Sequence, residues 1–494
     1  EGRPVHRTPP FFINICHWTR LARPVSVYVC QSCGAQTRQF FGRCSSCGSW
    51  NSLVEQATAG TDGRRRRPLP ARGNDGAEEG GRPQRSEPIT AVGESPLRRL
   101  ASGYGELDRV LGGGLVPGSL VLLGGDPGIG KSTLLLQCAR AMAGQVSVLY
   151  VSAEESAQQV KLRWQRLAEP GAPVGDSLRL LAETDLELVL QELESLRPAV
   201  AIIDSIQALH DGELASAPGS VAQVRECAAA LQRVAKRQHT ALVLVGHVTK
   251  EGLLAGPKVL EHLVDAVLTF EGDRYVSHRL LRAVKNRFGA THELGVFEMR
   301  GQGLVEVSNP SELFLGGNAP SPGSAIIVAC EGTRPLLVEL QALVSPTSYA
   351  SPRRTATGIG TNRLHQILAV LEKHLGLPLS RFDCYLAVAG GLQVEEPAAD
   401  LGVATAVVAS FRDLVLPPGT VLIGELGLGG QLRPVGQLEL RLQEAARLGF
   451  RRVVAPAGSG LEQQAQQLGL QLLPAATVAE ALVAALGVDP QAQD

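Results

Sequence analysis

Short apolar runs recur along this chain, each closed by a polar or glycine-rich turn and followed by a longer mixed stretch. Leu120–Leu123, Val146–Ser152, Ala199–Asp204 and Thr240–Gly246 are such runs. Polar residues rarely interrupt them, so they read as strands buried on both faces rather than as half-exposed ones. Thr133 to Ala143 between the first two has helical composition. The alternation predicts a parallel α/β sheet. The pattern changes after Asn309-Pro310. There, strands at Ser324–Ala329 and Leu337–Leu343 alternate with helices at 361–375, 401–412 and 438–448, which predicts a further α/β domain. Residues 56–92 show neither period. They are rich in Gly, Arg and Pro, include Arg64-Arg65-Arg66-Arg67, and predict a disordered linker.

Length and charge narrow this picture. At roughly 150 residues per domain, 494 residues suggest about three domains. An apolar fraction of 44% supplies several cores. With 47 basic against 48 acidic residues the net charge is −1, which excludes a globally basic nucleic-acid binder and confines such contact to local patches. Aromatic residues are 4%, too few for an extended stacking surface. No run approaches the ~18 apolar residues of a membrane span, so no membrane partner is expected. The boundaries read as an unassigned extension (1–24), a cysteine module (25–55), the linker (56–92), a nucleotide-binding domain (93–310), a Gly/Pro linker (311–322), a C-terminal domain (323–488) and a tail (489–494). Residues 1–24 are arginine-rich but not serine-rich; an organellar targeting remnant stays open beside a plain unstructured extension.

Four of the nine cysteines, Cys30, Cys33, Cys44 and Cys47, form two Cys-x-x-Cys-Gly knuckles ten residues apart. Four soft thiolates converging on one point suit tetrahedral Zn²⁺ in a closed, structural site. About thirty residues cannot bury a core, so the metal would supply most of the folding energy. Cys16, Cys138, Cys227, Cys330 and Cys384 are scattered and carry no assigned chemistry.

The densest chemistry follows the first apolar run: Gly125-Asp126-Pro127-Gly128-Ile129-Gly130-Lys131-Ser132-Thr133. A strand before it and a helix after it are the setting a phosphate loop requires. The glycines let backbone N–H groups wrap phosphates at a helix N-terminus. Lys131 is expected at the β- and γ-phosphates and the Ser132 hydroxyl on Mg²⁺, which makes ATP and Mg²⁺ the expected cofactors. Asp204 ends its strand, where it can hold the metal's water shell. Glu154, past the neighbouring strand, is placed as general base for the attacking water. His247 ends a third strand and is a candidate γ-phosphate sensor.

The phosphate loop, the preceding Gly103-Tyr-Gly-Glu-Leu-Asp108 stretch and Ile-Ile-Asp204-Ser-Ile-Gln look like the RecA-type ATPase core. Lys285-Asn286-Arg287-Phe288-Gly289, the four-cysteine finger and Gly-His247-Val-Thr-Lys250-Glu-Gly252 resemble the RadA (Sms) family of bacterial DNA-repair proteins, from Tyr28 to about Leu486. The resemblance implies a cytoplasmic, nucleoid-associated DNA-dependent ATPase that extends recombination intermediates by branch migration as a hexameric ring. Its partners would be single-stranded and branched DNA and a RecA-type recombinase. It implies that Lys285 and Arg287 complete a neighbour's active site. DNA would then be gripped by two loops, Asp211–Val221 with Arg225 beyond it, and Thr249–Lys258 with Lys250 and Lys258. The alternative is a nucleotide-switched adaptor of a recombinase, without motor activity of its own.

The C-terminal domain resembles the proteolytic domain of Lon, of the ribosomal S5-like α/β class, whose dyad is a serine activated by a lysine. The stretch that would hold the serine reads Glu396-Pro-Ala-Ala-Asp400-Leu401, and the one that would hold the lysine reads Gln437-Leu-Glu439-Leu-Arg441. Neither dyad residue is present, so the expectation is a scaffold or DNA platform, with Arg353, Arg354 and Arg363 as a possible basic patch, rather than a peptidase.

Overall fold

Uninterrupted apolar runs must be covered on both faces, and in the computed structural model they are the central strands of two helix-flanked sheets. The structure describes residues 26–30, 36–37, 39, 41–45, 53–57, 88–91, 98–167, 177–247, 257–272, 276–315 and 321–487. They fall into two compact units, residues 1–93 and 94–494. In the first, β1 (Ser26–Cys30) pairs antiparallel with β2 (Gln36–Thr37) and with β3 (Leu53–Ala57). Its core is small: Cys44 and Leu53 are buried, with Tyr28 packed on them.

The second unit opens with α1 (Gly105–Leu111) and β4 (Leu120–Gly125), then α2 (Lys131–Ala143), β5 (Val148–Ser152), α3 (Ala157–Leu167), β6 (Leu178–Ala182) and α4 (Leu186–Leu196). It continues with β7 (Val200–Asp204), α5 (Val221–Gln238), β8 (Ala241–His247), a short α6 (Pro257–Leu260) and β9 (Ala266–Glu271). Three antiparallel strands, β10 (His278–Asn286), β11 (Leu294–Arg300) and β12 (Gly303–Glu306), complete a nine-stranded sheet ordered β12-β11-β10-β9-β4-β8-β7-β5-β6. Strands β4 to β9 run parallel within it. Every residue of β4, β5 and β7 is buried, as their unbroken apolar sequences require.

The chain continues through α7 (Ser311–Phe314), β13 (Ser324–Glu331), β14 (Arg334–Pro346), β15 (Arg354–Thr357), α8 (Thr361–Leu375), β16 (Phe382–Val388), α9 (Asp400–Phe411) and β17 (Thr420–Leu422). A small hairpin, β18 (Glu425–Leu426) and β19 (Leu432–Arg433), precedes α10 (Leu438–Arg447), β20 (Arg452–Pro456), α11 (Glu462–Gln467), β21 (Gln471–Ala475) and α12 (Val478–Leu486). Seven of these strands form one mixed sheet, β15-β16-β14-β13-β17-β20-β21.

Two expectations change here. The predicted linker 311–322 begins as structure: α7 buries Ser311 and Phe314, and the Ser311 hydroxyl accepts from Leu337 N–H and bonds Glu444 at 3.1 Å in each case. Nor do the two sheets belong to independent bodies. Leu280, Leu294 and Val296 of β10 and β11 enter the same hydrophobic core as Ile327, Val338 and Leu401. Ion pairs Arg334–Glu106 and Arg282–Glu331 cross the same boundary. Apolar residues at the joint have no other way out of water, so both regions pack as one.

Candidate nucleotide site

The phosphate loop leaves the carboxyl end of β4, in the middle of the parallel sheet, where such sheets open their binding crevice. Gly125 and Gly130 have φ of 156° and 117°, which side-chain-bearing residues rarely adopt. A Cβ on Gly125 would lie 2.6 Å from the Phe270 carbonyl oxygen, and one on Gly130 would lie 2.8 Å from Met299 Cε. Gly130 caps α2, so the helix's free N–H groups face the loop.

Lys131 is buried, and its Nζ donates to the carbonyl oxygens of Gly125 (2.8 Å) and Asp126 (2.9 Å) and to His247 Nδ1 (3.2 Å). Burial lowers its pKa, against the pull of Asp204, Glu154 and Asp126. A lysine only donates, so Nδ1 of His247 accepts and its proton sits on Nε2. That nitrogen faces Glu154, 3.1 Å from Oε1. The Ser205 hydroxyl donates to the same carboxylate oxygen. The His247 hydrogen bond holds the Glu154 carboxyl below its usual range; burial opposes this and the Ser205 bond reinforces it. Asp204, at the end of β7, accepts from the Tyr150 hydroxyl at 2.6 Å and from the Ser132 hydroxyl. Its burial pushes its pKa up. Thus Lys131, Ser132, Glu154, Asp204 and His247, from four different segments, converge at one end of the sheet.

These residues fit a magnesium-bound nucleotide. A buried ammonium held by backbone carbonyl oxygens can exchange them for phosphate oxygens. The hydroxyl–carboxylate pair Ser132–Asp204 offers hard oxygen donors, and no side chain could replace the hydrogens of Gly125 and Gly130 without collision.

Lys285 and Arg287 lie elsewhere. Lys285 pairs with Val267 on β9, whereas Gly125 pairs with Phe270, three residues further along that strand. At about 3.3 Å per residue this puts Lys285 roughly 10 Å back from the loop, towards the opposite end of the sheet. Its Nζ donates to the carbonyl oxygens of Glu261 (2.5 Å) and Val264 (2.7 Å), in the segment that joins α6 to β9. Arg287 pairs with Asp265 at 3.0 Å and is half exposed. Asn286 and Gly289 seat the segment on α1. Asn286 Nδ2 donates to the Val110 carbonyl at 3.2 Å, and a Cβ on Gly289 would stand 3.0 Å from Gly112 Cα.

Of the expected DNA-contacting residues, Arg225 is exposed near the start of α5. Lys250 lies outside the described residues, and Lys258 falls in α6 without a described side chain. The loop Asp211–Val221 is no loose cationic segment. It carries Asp211 and Glu213, and buried Gln223 clamps it through Asp211 N–H (2.8 Å) and the carbonyl oxygens of Asp211 (3.1 Å) and Ser216 (3.0 Å). Of the cysteine quartet, Cys44 is buried and Cys30 ends β1, while Cys33 and Cys47 lie outside the described residues. In the C-terminal domain, Asp400 is bound by Arg363 and Arg441 by Glu396, the latter at 2.5 and 2.8 Å. Arg363 is therefore neutralised and does not add free charge to the expected basic patch, while Arg353 lies with its guanidinium 3.7 Å from the Tyr349 ring centroid.

Residues 87–253 match the AAA domain family, and residues 28–55, which include all four clustered cysteines, match the rubredoxin metal binding domain. A DNA repair protein RadA of Synechocystis is 55% identical over 96% of this chain and 97% of its own length. The chain belongs to the RadA family. The RadA of Bacillus subtilis is 48% identical over 94% of this chain and 100% of its own length. Among solved structures, a KaiC-like protein of Pyrococcus horikoshii is matched along its whole length by 43% of the chain, at 20% identity and a TM-score of 0.35. The RadA membership carries the RecA-like fold with it, and the nine-stranded sheet with its loop after β4 is that fold's arrangement. Sequence reading missed Tyr150 and Ser205. Each leaves a faint trace: a lone hydroxyl-bearing aromatic in an aliphatic strand, and a serine directly after the strand-end acid.

Proposed function

We propose that this protein is an ATP hydrolase of recombinational DNA repair that acts on single-stranded and branched DNA by branch migration. The observation that carries the reading is the divided placement of its charged groups. The hydrolytic set gathers at one end of the sheet, and the two cations that could offset transition-state charge stand at the other. A cation so far from its own loop acts on phosphate only by reaching another copy, which supports a closed ring, six copies in the family reading, with nucleotide between neighbours.

In each site Lys131 would leave the carbonyl oxygens of Gly125 and Asp126 for the β- and γ-phosphates, and Ser132 and Asp204 would hold Mg²⁺ and its water. Magnesium supplies charge neutralisation at the transferred phosphoryl group. Glu154, kept ionised by His247 and Ser205, accepts the proton of the attacking water. His247, released when Lys131 moves, reports the occupied site to the segment that follows β8, where the second DNA loop begins. Four thiolates at 30, 33, 44 and 47 would hold Zn²⁺ and fix the first unit's fold.

The test is ATP turnover with and without single-stranded DNA. Turnover should rise with DNA and disappear in Lys131→Ala, and branch migration by the purified protein should need both. Turnover indifferent to DNA at every salt concentration would overturn the motor reading. Migration that appears only with a recombinase present would favour a nucleotide-switched adaptor.

A further inference from the structure

Tyr150 has a chemistry its position does not call for. It sits mid-strand in β5, between β6 and β7, and is 1% exposed among Val148, Ile202 and Leu135 of the core beneath α2. Packing alone would be served by phenylalanine, without burying a hydroxyl that must find a partner. The partner is Asp204: the hydroxyl donates to Oδ2 at 2.6 Å, inside the core. Register explains the reach. Tyr150 pairs with Ile202 and Ser152 with Asp204, so the tyrosine stands two residues behind the acid and its ring leans forward along the strand.

Asp204 therefore has few ways to turn. It is 7% exposed, one oxygen is occupied by Tyr150, and Ser132 binds the same carboxylate from the first turn of α2. The tyrosine hydroxyl thus fixes the rotation of the acid and leaves the Ser132 side of the carboxylate towards the loop.

We infer that Tyr150 is a positioning residue for the magnesium site, acting through Asp204. This rests on the magnesium–nucleotide reading of the site. The hydroxyl presets the carboxylate that holds the metal's water shell, so the site binds Mg·nucleotide without first reorienting an acid. One hydrogen bond to a charged group corresponds to about a tenfold effect in an equilibrium constant.

The experiment is equilibrium binding of a fluorescent ADP analogue to the full chain, titrated with Mg²⁺ and repeated in EDTA. Tyr150→Phe should raise the half-saturating Mg²⁺ concentration about tenfold and leave affinity in EDTA within about twofold of wild type. In an Asp204→Asn background, Tyr150→Phe should add nothing to the magnesium dependence. Folding is checked by thermal denaturation of each variant. A folded Tyr150→Phe protein with unchanged magnesium dependence, or one whose affinity falls equally in EDTA, would show that Tyr150 only packs the core. A further effect of Tyr150→Phe in the Asp204→Asn background would show that it does not act through Asp204. If the wild type binds nucleotide with no magnesium dependence at all, the reading of the site itself fails, and this inference with it.

Discussion

Glu154 and His247 are 93 positions apart in the chain, and their contact makes a pH-dependent prediction at the scale of single residues. The His247 hydrogen bond keeps the Glu154 carboxyl below the ordinary range. A base that must be ionised is active above its pKa and lost as pH falls through it. The stability linked to this depressed carboxyl has the same sign: present above the unfolded value, near about 4.3, and lost as pH falls through the lower folded value. His247→Ala removes the principal cause. The acid limb of ATP turnover should then move to higher pH, towards the ordinary carboxylate range, and a limb that stays in place would detach His247 from Glu154. At the same scale Gly130→Ala puts a Cβ 2.8 Å from Met299 Cε at a φ of 117°. The strained backbone costs roughly 1–3 kcal/mol. Denaturant unfolding should show that loss, together with weakened nucleotide binding.

Helix α9 is nearly all apolar and buried, yet begins with an acid. Asp400 is 2% exposed, bound by Arg363 of α8 and by the Leu426 N–H at 2.9 Å. Across the sheet, Glu396 binds buried Arg441 of α10 and accepts from the Cys330 N–H at 2.6 Å. The two stretches where the Lon dyad would stand are thus each tied by an ion pair that joins elements of the domain. Breaking a buried pair leaves an uncompensated charge, at a cost of about 3–5 kcal/mol. Arg363→Met should destabilise the protein by that order in chemical denaturation, and adding Asp400→Leu should restore part of the loss, because two apolar side chains need no ionic partner while the Leu426 N–H loses its acceptor. A single variant as stable as wild type would mean the pair does not clamp α8 to α9. Helix α9 itself was visible in the apolar run 401–412. Its ion partner was not, since nothing local distinguishes Arg363 from an exposed arginine.

The placement of Lys285 is a whole-molecule matter. In one chain its ammonium is spent on the carbonyl oxygens of Glu261 and Val264. Within the proposed ring it would leave them for a neighbour's phosphate. Lys285→Ala should keep nucleotide affinity and lower turnover by about 10³-fold, the smaller end of what a cation delivered in trans contributes. Mixing Lys131→Ala with Lys285→Ala chains should restore part of the turnover, since some interfaces then pair an intact loop with an intact cation. No recovery in mixtures that form oligomers would place the cation's action in cis. The packing of β10 and β11 into the C-terminal core bears on the same scale. Movement of Lys285 in such a ring would carry the C-terminal sheet with it, because Arg282 on the same strand is tied to Glu331 of β13.

The sequence by itself determined what depends on neighbours along the chain. Cysteine spacing, the glycines around Lys131, an acid ending an apolar run, and strands and helices within a few residues of their observed limits are all local signals. Backbone conformation and burial are written there directly. The tertiary structure alone decided partnership: Tyr150 with Asp204, His247 between Lys131 and Glu154, Arg363 with Asp400, and Lys285 turned from its own phosphate loop. Each of these depends on strand register and on which elements pack together. A change of one residue in either would leave the local patterns intact and give every buried polar group a different partner.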